Sequence, residues 1–384
     1  MIERLAKKKV LELSSQFKSV AIMGPRQSGK TTLAKMCFPE QPYVSLENPE
    51  NRNFALADPV GFLKKYPDGA VFDEIQRAPQ ILSYLQQILD EGNQKGKFIL
   101  TGSNNLLMLE QITQTLAGRV AYVDLLPYSM EEVGRARKLP TNVDELIFNG
   151  GYPPIQSENI PPGNWFPAYV RTYVERDVRQ IRNIENLLIF EKLLSLCAGR
   201  VGQMLNFSNL ANETGMDVKT VQAWVGVLQA SYIVYLLPPY FKNFNKRIVK
   251  TPKLYFYDTG LASYLLQIQN TGMLAIHPYR GALFENFIIN EMLKNRYNQG
   301  KRSNLFYWQD HAGNEIDVLV DNGLELKPYE IKSGQTMSST YFKNLVYWEK
   351  LTGNSNGTVI YGGDDNHTGS KGYSIVSWKE VAGF

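Results

Sequence analysis

Two patterns of apolar and polar positions alternate along the first part of the chain. Residues 2–17 place apolar side chains among charged ones at helical spacing, which predicts an amphipathic helix, and Pro79–Asp90 shows a similar pattern. Short continuous apolar runs of strand length recur around these segments. The predicted strands are Val20–Met23, Tyr43–Leu46, Ala70–Phe72, Phe98–Thr101 and Val120–Val123. Alternating strands and helices are typical of an α/β fold in which helices cover both faces of a parallel sheet.

The pattern changes twice further along the chain. After about residue 145, proline-rich turns lead into mostly helical periodicity. From about residue 251 the order becomes one long helix, three strands, a helix and further strands. The predicted segments are Gly281–Asn298, Leu305–Trp308, Glu315–Val320, Leu324–Lys332, Ser338–Leu351, Thr358–Tyr361 and Tyr373–Val376. These changes predict three units, over residues 1–145, 146–250 and 251–384.

Composition narrows the class of protein but does not indicate an activity. The chain has 384 residues, of which 43% are hydrophobic and 20% charged, and this excludes a disordered, collagen-like or coiled-coil protein. Its net charge is only +4, so contact with nucleic acid would need a local basic surface. Two cysteines fit a reducing compartment, and no apolar run reaches the ~18–20 residues of a membrane span. We therefore expect a cytoplasmic protein with no membrane partner.

The strongest motif lies between the first predicted strand and the helix that follows it. The segment GPRQSGKT matches the pattern G-x-x-x-x-G-K-[ST], which wraps backbone N–H groups around the phosphates of a nucleotide. The predicted nucleotide-binding residues are Gly24, Pro25, Arg26, Gln27, Ser28, Gly29, Lys30, Thr31 and Thr32. Lys30 would reach the β- and γ-phosphates of ATP, and the Thr31 hydroxyl would coordinate Mg²⁺. The alternative is a glycine-rich turn that matches by chance.

Two carboxylates end the apolar strand AVFDE. Asp73 would hold Mg²⁺ through water, and Glu74 would polarise the attacking water. Solvated acids at a strand end are the alternative interpretation. A further strand separates this one in sequence from the strand before the phosphate loop. That order, with Glu after Asp, is typical of ATPases that use a catalytic glutamate and argues against a small-molecule kinase.

Polar side chains near the fourth and fifth strands complete the predicted nucleotide site. Ser103, with Asn104 as second choice, would sense the γ-phosphate at the end of FILT, unless the segment is an ordinary Gly-Ser-Asn turn. Arg119 precedes the fifth strand and would stabilise transition-state charge, either in its own molecule or from a neighbouring subunit. A surface arginine with no catalytic role is the alternative.

With these residues in place, the chain resembles the AAA+ superfamily of P-loop ATPases. Within it, the chain is similar to prokaryotic members that carry a nuclease-like C-terminal domain. The stretches that carry the resemblance are GPRQSGKTT, AVFDEIQRAP, FILTGS, LAGRV, LPYSMEEV, NGGYPP, YVERDVRQI and KLYFYDTGLASYLL. The resemblance implies that ATP is bound and hydrolysed, and it is compatible with a homo-oligomer. No convincing second sensor arginine is found in the lid region.

The middle region contains three patterns that bear on DNA binding. Residues 206–229 have the spacing of a helix-turn-helix around Gly215, followed by a β-rich Tyr232–Leu237 that would form a wing. Its second helix would expose Lys219, Thr220 and Gln222, although the same winged-helix shape could serve only as a lid on the ATPase. Other basic positions are Arg171, Arg176, Arg179 and Arg182, and the acid-free segment Lys242–Lys253. The arginines favour a solvated, internally paired face, with a phosphate-facing stripe as the alternative. The segment Lys242–Lys253 is the best candidate for contact with a DNA backbone.

A second set of acids lies in the C-terminal region. In EIDVLV and YEIK, alternation puts Asp317 on the polar face of one strand and Glu330 with Lys332 on the polar face of the next. Asp317 and Glu330 could meet across the strands and hold Mg²⁺, while Lys332 would orient water and stabilise charge on phosphorus. Glu285 could reach in from the preceding helix. The alternative is a set of ordinary surface pairs.

This arrangement resembles the PD-(D/E)XK, or restriction-endonuclease-like, superfamily over residues 277–384. The resemblance implies a C-terminal α/β domain with Glu285 as the helix acid, Asp317 as the strand acid, and Glu330 with Lys332 as the E-x-K pair. Two functions then stay open. The chain is either an ATP-dependent enzyme that cleaves DNA with Mg²⁺, or a regulatory ATPase switch whose C-terminal domain only binds DNA or a protein.

Overall fold

The computed structural model describes residues 2–103, 115–174, 186–241, 249–369 and 372–383. The chain forms two compact units. The first comprises Met1–Tyr128 with Ala230–Tyr232 and Arg296–Lys301, and the second comprises Ser129–Gln229, Ile233–Asn295 and Arg302–Phe384. None of the described helices is long and apolar enough to cross a membrane.

The first unit alternates strands and helices, as the apolar pattern predicts. Its elements are α1 (Ala6–Gln16), β1 (Ser19–Met23), α2 (Lys30–Cys37), β2 (Tyr43–Ser45), α3 (Pro49–Ala57), α4 (Pro59–Lys64), β3 (Ala70–Asp73), α5 (Ile81–Glu91), β4 (Phe98–Gly102) and β5 (Val120–Asp124). All five predicted strands are confirmed to within one residue at each end. The first helix begins later than predicted, at Ala6, because the segment before it packs into the unit with Ile2 and Arg4 buried.

The five strands form one parallel sheet in the order β2-β3-β4-β1-β5. All residues of β1, β3 and β4 are buried, as expected for strands that helices cover on both faces. The strand β4 lies between β1 and β3, so the loops that follow these three strands are neighbours. This order brings the phosphate loop, the two carboxylates after Phe72 and Ser103 to one edge of the sheet.

The second unit begins with helices. They are α6 (Met130–Ala136), α7 (Val143–Asn149), α8 (Pro153–Ser157), α9 (Pro162–Tyr169), α10 (Leu187–Ala198), α11 (Phe207–Thr214) and α12 (Val218–Ala230). Two strands, β6 (Val234–Leu237) and β7 (Lys253–Phe256), then form an antiparallel ribbon, and α13 (Thr259–Leu265) and α14 (Thr271–Ile276) follow.

The predicted helix-turn-helix corresponds to α11 and α12, with Gly215 in the left-handed region at φ 73° between them. Val221, Val225 and Leu228 are buried as expected, but Val218 is exposed, so the apolar face is shorter than predicted. The hydroxyl of Thr220 donates to Asp217 at the start of α12 (2.5 Å), which occupies one of the three predicted DNA-facing side chains.

The C-terminal part of the second unit is a mixed sheet with helices. Its elements are α15 (Arg280–Asn298), β8 (Leu305–Gln309), β9 (Glu315–Asp321), β10 (Leu326–Lys332), α16 (Lys343–Thr352), β11 (Thr358–Tyr361), β12 (His367–Thr368) and β13 (Ser374–Ser377). The strand order is β12-β13-β11-β10-β9-β8. The first three strands in sequence, β8 to β10, are antiparallel, and β11 then joins β10 in parallel. Trp308, Trp348 and Val359 belong to the core cluster that α16 shares with this sheet.

Candidate functional site

The phosphate loop connects β1 to α2 through a backbone that few residues can adopt. Gly24 and Gly29 have φ of 153° and 92°, and Gln27 has φ of 63°. A Cβ at Gly24 would lie 2.2 Å from the carbonyl oxygen of Leu125, so only glycine fits there. The helix α2 begins at Lys30, directly after Gly29, so the N–H groups of its first turn are available to an anion.

Lys30 and Ser28 show how the loop suits a phosphate. The buried Lys30 donates from Nζ to the carbonyl oxygens of Gly24 (3.1 Å) and Pro25 (2.7 Å). The buried Ser28 Oγ has no hydrogen-bond partner among the described residues. An ammonium group against the loop and an unsatisfied hydroxyl inside it match the oxygen-rich, anionic character of a nucleotide phosphate.

Other residues of the motif have different surroundings. Gln27 and Thr32 are exposed, whereas Pro25 and Arg26 are buried. The Arg26 guanidinium lies 3.5 Å from a carboxylate oxygen of Glu47.

Asp73 lies at the end of β3 among hydroxyl donors. Thr31 Oγ1 lies 3.0 and 3.1 Å from its two carboxylate oxygens, and the Tyr43 hydroxyl donates to Oδ2 at 2.6 Å. The Thr101 hydroxyl also donates to Asp73. Burial, and secondly its bond to Asp73, raise the pKa of Tyr43, which keeps the phenol a donor. Thr31 and Asp73 therefore supply a hydroxyl and a carboxylate in contact, the ligand types that Mg²⁺ takes beside a phosphate loop.

Glu74 is held in an uncommon backbone conformation next to Asp73. It lies in the left-handed region at φ 57° and ψ 49°, and it is 9% exposed. Ser103 Oγ donates to Glu74 Oε2 at 3.1 Å, and Gln76 donates to both the Glu74 carboxylate and Ser103 Oγ. A strained backbone of this kind costs on the order of 1–3 kcal/mol and is typical of functional sites. Ser103 thus lies beside Glu74, and its role as a sensor of the γ-phosphate stays a prediction, while Asn104 lies outside the described residues.

Arg119 lies at the amino ends of the strands, at the edge of the sheet opposite to the phosphate loop. Its carbonyl accepts from Ser19 N at the amino end of β1, whereas the phosphate loop follows the carboxyl end of that strand. The Arg119 guanidinium forms a bidentate ion pair with Asp90 at the end of α5. The hydrogen bond from Arg119 lowers the pKa of Asp90, and it does so more than the positive charge of Arg119 does. Arg119 therefore cannot act on a nucleotide in its own molecule, and that part of the prediction is wrong; a role from a neighbouring subunit stays a prediction.

The C-terminal acids form a second cluster, within the second unit. Asp317 Oδ2 on β9 accepts from the N–H of Ile331 (2.7 Å) and from Lys332 Nζ (2.9 Å) on β10. Lys332 Nζ also lies 2.7 Å from Glu330 Oε2, and Asn344 donates to Glu330 from α16 at 3.3 Å. The structure thus brings together Asp317, Glu330 and Lys332, as the alternation along the strands predicts.

Glu285 joins this cluster from α15, but it is bound to groups that the sequence analysis did not assign to the site. It accepts a hydrogen bond from the Tyr255 hydroxyl, and it lies 3.6 Å from Lys253 Nζ through Oε1. Lys253 also forms an ion pair with Glu315. Lys253 is 4% exposed, so it is buried in the protein. The prediction that it contacts a DNA backbone is therefore wrong.

Burial sets the protonation of this cluster. It raises the pKa of Glu330 to about 8, with Asp317 raising it further and Lys332 opposing. Burial likewise raises the pKa of Glu285 to about 7, against the lowering effect of Lys253. Burial alone would lower the pKa of Lys253, but Glu285, Glu315 and Asp317 more than reverse this, so the ammonium stays charged.

The donor set at Asp317 and Glu330 suits a hard divalent cation, since both supply carboxylate oxygens on adjacent strands. Among the residues that the structure describes, no three His, Cys, Asp or Glu side chains are grouped so as to hold a metal ion.

The remaining basic positions of the middle region are only partly described. Arg171 is exposed, as are Lys219 and Gln222 on α12. Three other arginines of this region (Arg176, Arg179 and Arg182) and the segment 242–248 lie outside the described residues.

Several residues of both sites were missed because their own sequence neighbours do not mark them. Tyr43 begins β2 and Thr101 lies near the end of β4, and both reach Asp73 only because the sheet places their strands near β3. Arg4, ahead of α1, donates to the carbonyl oxygens of Ser28 (2.9 Å) and Leu126 (2.6 Å) and so braces the phosphate loop.

Models of known protein families match three consecutive parts of the chain. A model described as an AAA domain matches residues 16–134. Two models described as domains of unknown function, DUF8612 and DUF4143, match residues 140–272 and 280–381. The P-loop AAA assignment of the first part is therefore confirmed, whereas the nuclease-like fold of the last part stays a prediction.

Two mycobacterial proteins are similar to most of the chain. The uncharacterized proteins Rv2008c of Mycobacterium tuberculosis and Mb2031c of Mycobacterium bovis are each 30% identical to it over 325 residues, which are 83% of this chain and 71% of theirs. Among solved structures, the Walker-type ATPase PABY2304 of Pyrococcus abyssi is 14% identical, with a TM-score of 0.45 over 68% of this chain and 94% of that one. By its identity to the mycobacterial proteins and its coverage of them, the chain belongs to the family of Rv2008c and Mb2031c, and it carries an AAA domain at residues 16–134.

Proposed function

We propose that the chain is a Mg²⁺-dependent ATPase that uses Glu74 as its catalytic base. The observation that carries this proposal is the arrangement at one edge of the parallel sheet, where Thr31 contacts Asp73 and Ser103 contacts Glu74. A phosphate loop, a metal-binding pair and a separate carboxylate are what hydrolysis of a phosphoanhydride needs. The AAA domain that covers these residues supports the same activity.

In this mechanism each residue has one task. The loop N–H groups and Lys30 bind the phosphates, and Thr31 with Asp73 would hold Mg²⁺, which neutralises charge on the phosphates when bound. Glu74 accepts a proton from water as the water oxygen bonds to the γ-phosphorus, and the bond from that phosphorus to the β,γ-bridging oxygen breaks to release ADP. Ser103 lies 3.1 Å from the Glu74 carboxylate and responds to the γ-phosphate. Gln76 donates to both groups and restrains Glu74 until nucleotide binds.

Two substitutions test the nucleotide site. Lys30→Ala should abolish ATP binding, measured by titration with a fluorescent ATP analogue, because it removes the ammonium that faces the phosphates. Lys8→Ala, at an exposed lysine on α1, is the matched control. Wild-type affinity in Lys30→Ala would refute the assignment of the loop.

Glu74→Gln should bind ATP as tightly as the wild type but lower kcat by at least about 100-fold, since general-base catalysis contributes roughly 10²–10⁴-fold. Phosphate release measures the rate, and the exposed Glu50→Gln on α3 is the control. Unchanged turnover would remove Glu74 from the mechanism.

A second activity follows from the C-terminal cluster. We infer that Asp317 and Glu330 hold Mg²⁺, and that Lys332 orients water and stabilises charge on a DNA phosphate. The contact of Lys332 Nζ with both carboxylates, at 2.9 and 2.7 Å, supports this role. The rival function is a regulatory switch, in which this nuclease-like domain and the winged-helix-like middle region only bind DNA or a protein.

A cleavage assay separates these two functions. Linear, branched and single-stranded DNA are incubated with the full chain, with and without Mg²⁺ and ATP. A nuclease loses cleavage in Asp317→Ala and Lys332→Ala, while the control Asp321→Asn on β9 retains it. A switch shows ATP-dependent DNA binding that survives both substitutions, with no cleavage by the wild type.

The proposed assembly has three parts, over residues 1–145, 146–250 and 251–384. A homo-oligomer would let Arg119 of one subunit approach the nucleotide of the next. An Arg119→Ala chain that loses ATP turnover only at protein concentrations where subunits associate would support this role.

A further inference from the structure

Lys253 is a buried cation, and its ion-pair partners among the described residues are carboxylates of the C-terminal cluster. It starts β7, forms an ion pair with Glu315 and lies 3.6 Å from Glu285 Oε1. Its ammonium also lies 5.3 Å from the centre of the Tyr307 ring. A charge with so little contact with water stays charged only when opposite charges surround it.

The two lysines of the cluster differ in their access to solvent. The side chain of Lys332 is 28% exposed, whereas that of Lys253 is 5% exposed. A metal ion arriving from water can therefore displace Lys332 from Asp317 and Glu330. Displacing Lys253 would leave an unpaired ammonium inside the protein, which costs far more.

The backbone on both sides of Lys253 is fixed within the second unit. The Thr251 carbonyl accepts a hydrogen bond from the Tyr307 hydroxyl, and Val249 N donates to the carbonyl of Gln309 at 3.0 Å. On the other side, β7 is paired with β6. The lysine thus enters the cluster from a strand whose backbone is hydrogen-bonded on both sides of it.

We propose that the Lys253 ammonium is a permanent cation of the C-terminal cluster. It binds Glu285 and Glu315, so that a divalent cation binds only through Asp317 and Glu330. The site then takes one metal ion, and Glu285 is a positioning residue and not a ligand. This inference rests on the proposed metal-binding role of Asp317. Because Lys253 lies in the part matched by one family model (140–272) and the four carboxylates in the part matched by another (280–381), residues of both parts complete one site.

Binding of Mn²⁺ to the full chain without nucleotide tests the inference. Free Mn²⁺ is measured by electron paramagnetic resonance. Asp317→Asn should bind one ion fewer than the wild type. Glu285→Gln should keep that ion with a Kd within about threefold of the wild type, since Lys253 retains Glu315. Lys253→Met should bind one ion more, because Glu285 and Glu315 lose the ammonium that balances their charge. Asp321→Asn is the control that leaves the count unchanged.

The outcomes separate this inference from the proposed function. Loss of the ion in Glu285→Gln, as in Asp317→Asn, would make Glu285 a ligand and overturn the inference alone. An unchanged count in a folded Lys253→Met, checked by circular dichroism, would also overturn it. An unchanged count in Asp317→Asn would overturn the metal site itself and the inference with it. If Lys253→Met does not fold, the Glu285→Gln measurement decides.

Discussion

At the scale of residues, the nucleotide site depends on side chains that orient Asp73. The Tyr43 hydroxyl donates to Asp73 Oδ2 at 2.6 Å, while Thr31 contacts both oxygens of the same carboxylate. A ligand carboxylate whose hydrogen-bond partner is removed turns more freely and binds metal less well. Tyr43 is thus expected to act on Mg²⁺ through Asp73 and not on ATP itself.

Tyr43→Phe should raise the Mg²⁺ concentration for half-maximal ATP turnover by about tenfold, because losses of supporting partners are typically roughly 10–100-fold. Binding of ATP without Mg²⁺ should not change. Tyr66→Phe, a ring that packs on Phe62 and Phe72, is the control. A rise in the ATP requirement that Mg²⁺ does not influence would show that Tyr43 supports the loop and not the metal pair.

The residues of the sites differ in how well sequence can predict them. Those within one motif, such as Lys30 and Thr31, are predicted because neighbouring residues carry the whole signal. Tyr255 was missed, and Lys253 was assigned to DNA contact instead of to the acidic cluster, because their partners are about 30 or 60 positions away in the sequence. The error on Arg119 was avoidable, since a residue that precedes a parallel strand lies at the edge opposite to the phosphate loop.

At the scale of elements, one buried aspartate joins two segments of the second unit. Asp258 accepts from Leu261 N at the start of α13 (3.0 Å) and from Gly151 N just after α7 (2.7 Å). Gly150 has φ of 66°, and a Cβ there would lie 2.2 Å from Asp258 Oδ1. The stretches NGGYPP and YDTGLASYL therefore pack closely against each other, although they are far apart in sequence.

Gly150→Ala should lower the free energy of unfolding by about 2–4 kcal/mol, since it adds a clash to an unfavourable backbone angle. Chemical denaturation followed by tryptophan fluorescence measures it. Gly226→Ala in α12 is the matched control, because nothing lies within 4 Å of its added Cβ. It should stabilise by about 0.5–1 kcal/mol, as expected inside a helix. Equal effects of the two substitutions would contradict the close fit at Gly150.

Element boundaries were predictable where one pattern dominates. The five strands of the first sheet are continuous apolar runs, and the structure places them almost where the pattern does. The boundary of α1 was less predictable, since this helix begins four residues after the predicted start. Ile2 fits the amphipathic pattern, but its burial is achieved by an irregular segment in which Arg4 bonds to the phosphate loop.

At the scale of the whole molecule, the two compact units differ in their tryptophan content. The five tryptophans, Trp165, Trp224, Trp308, Trp348 and Trp378, all belong to the second unit, whereas the phosphate loop belongs to the first. Tryptophan fluorescence therefore follows unfolding of the second unit, while far-ultraviolet circular dichroism follows both. The tryptophans of the chain can therefore distinguish unfolding of the second unit from unfolding of the first.

Saturating Mg²⁺ with a non-hydrolysable ATP analogue should stabilise the first unit by about 2.7 kcal/mol at 100 times Kd, and so raise its melting temperature by several degrees. The shift should appear in circular dichroism and be smaller in tryptophan fluorescence, because the ligand binds the unit without tryptophan. In Lys30→Ala both shifts should vanish. Equal shifts by both probes would show that the chain unfolds in a single cooperative transition. A shift that persists in Lys30→Ala would show that the nucleotide binds elsewhere.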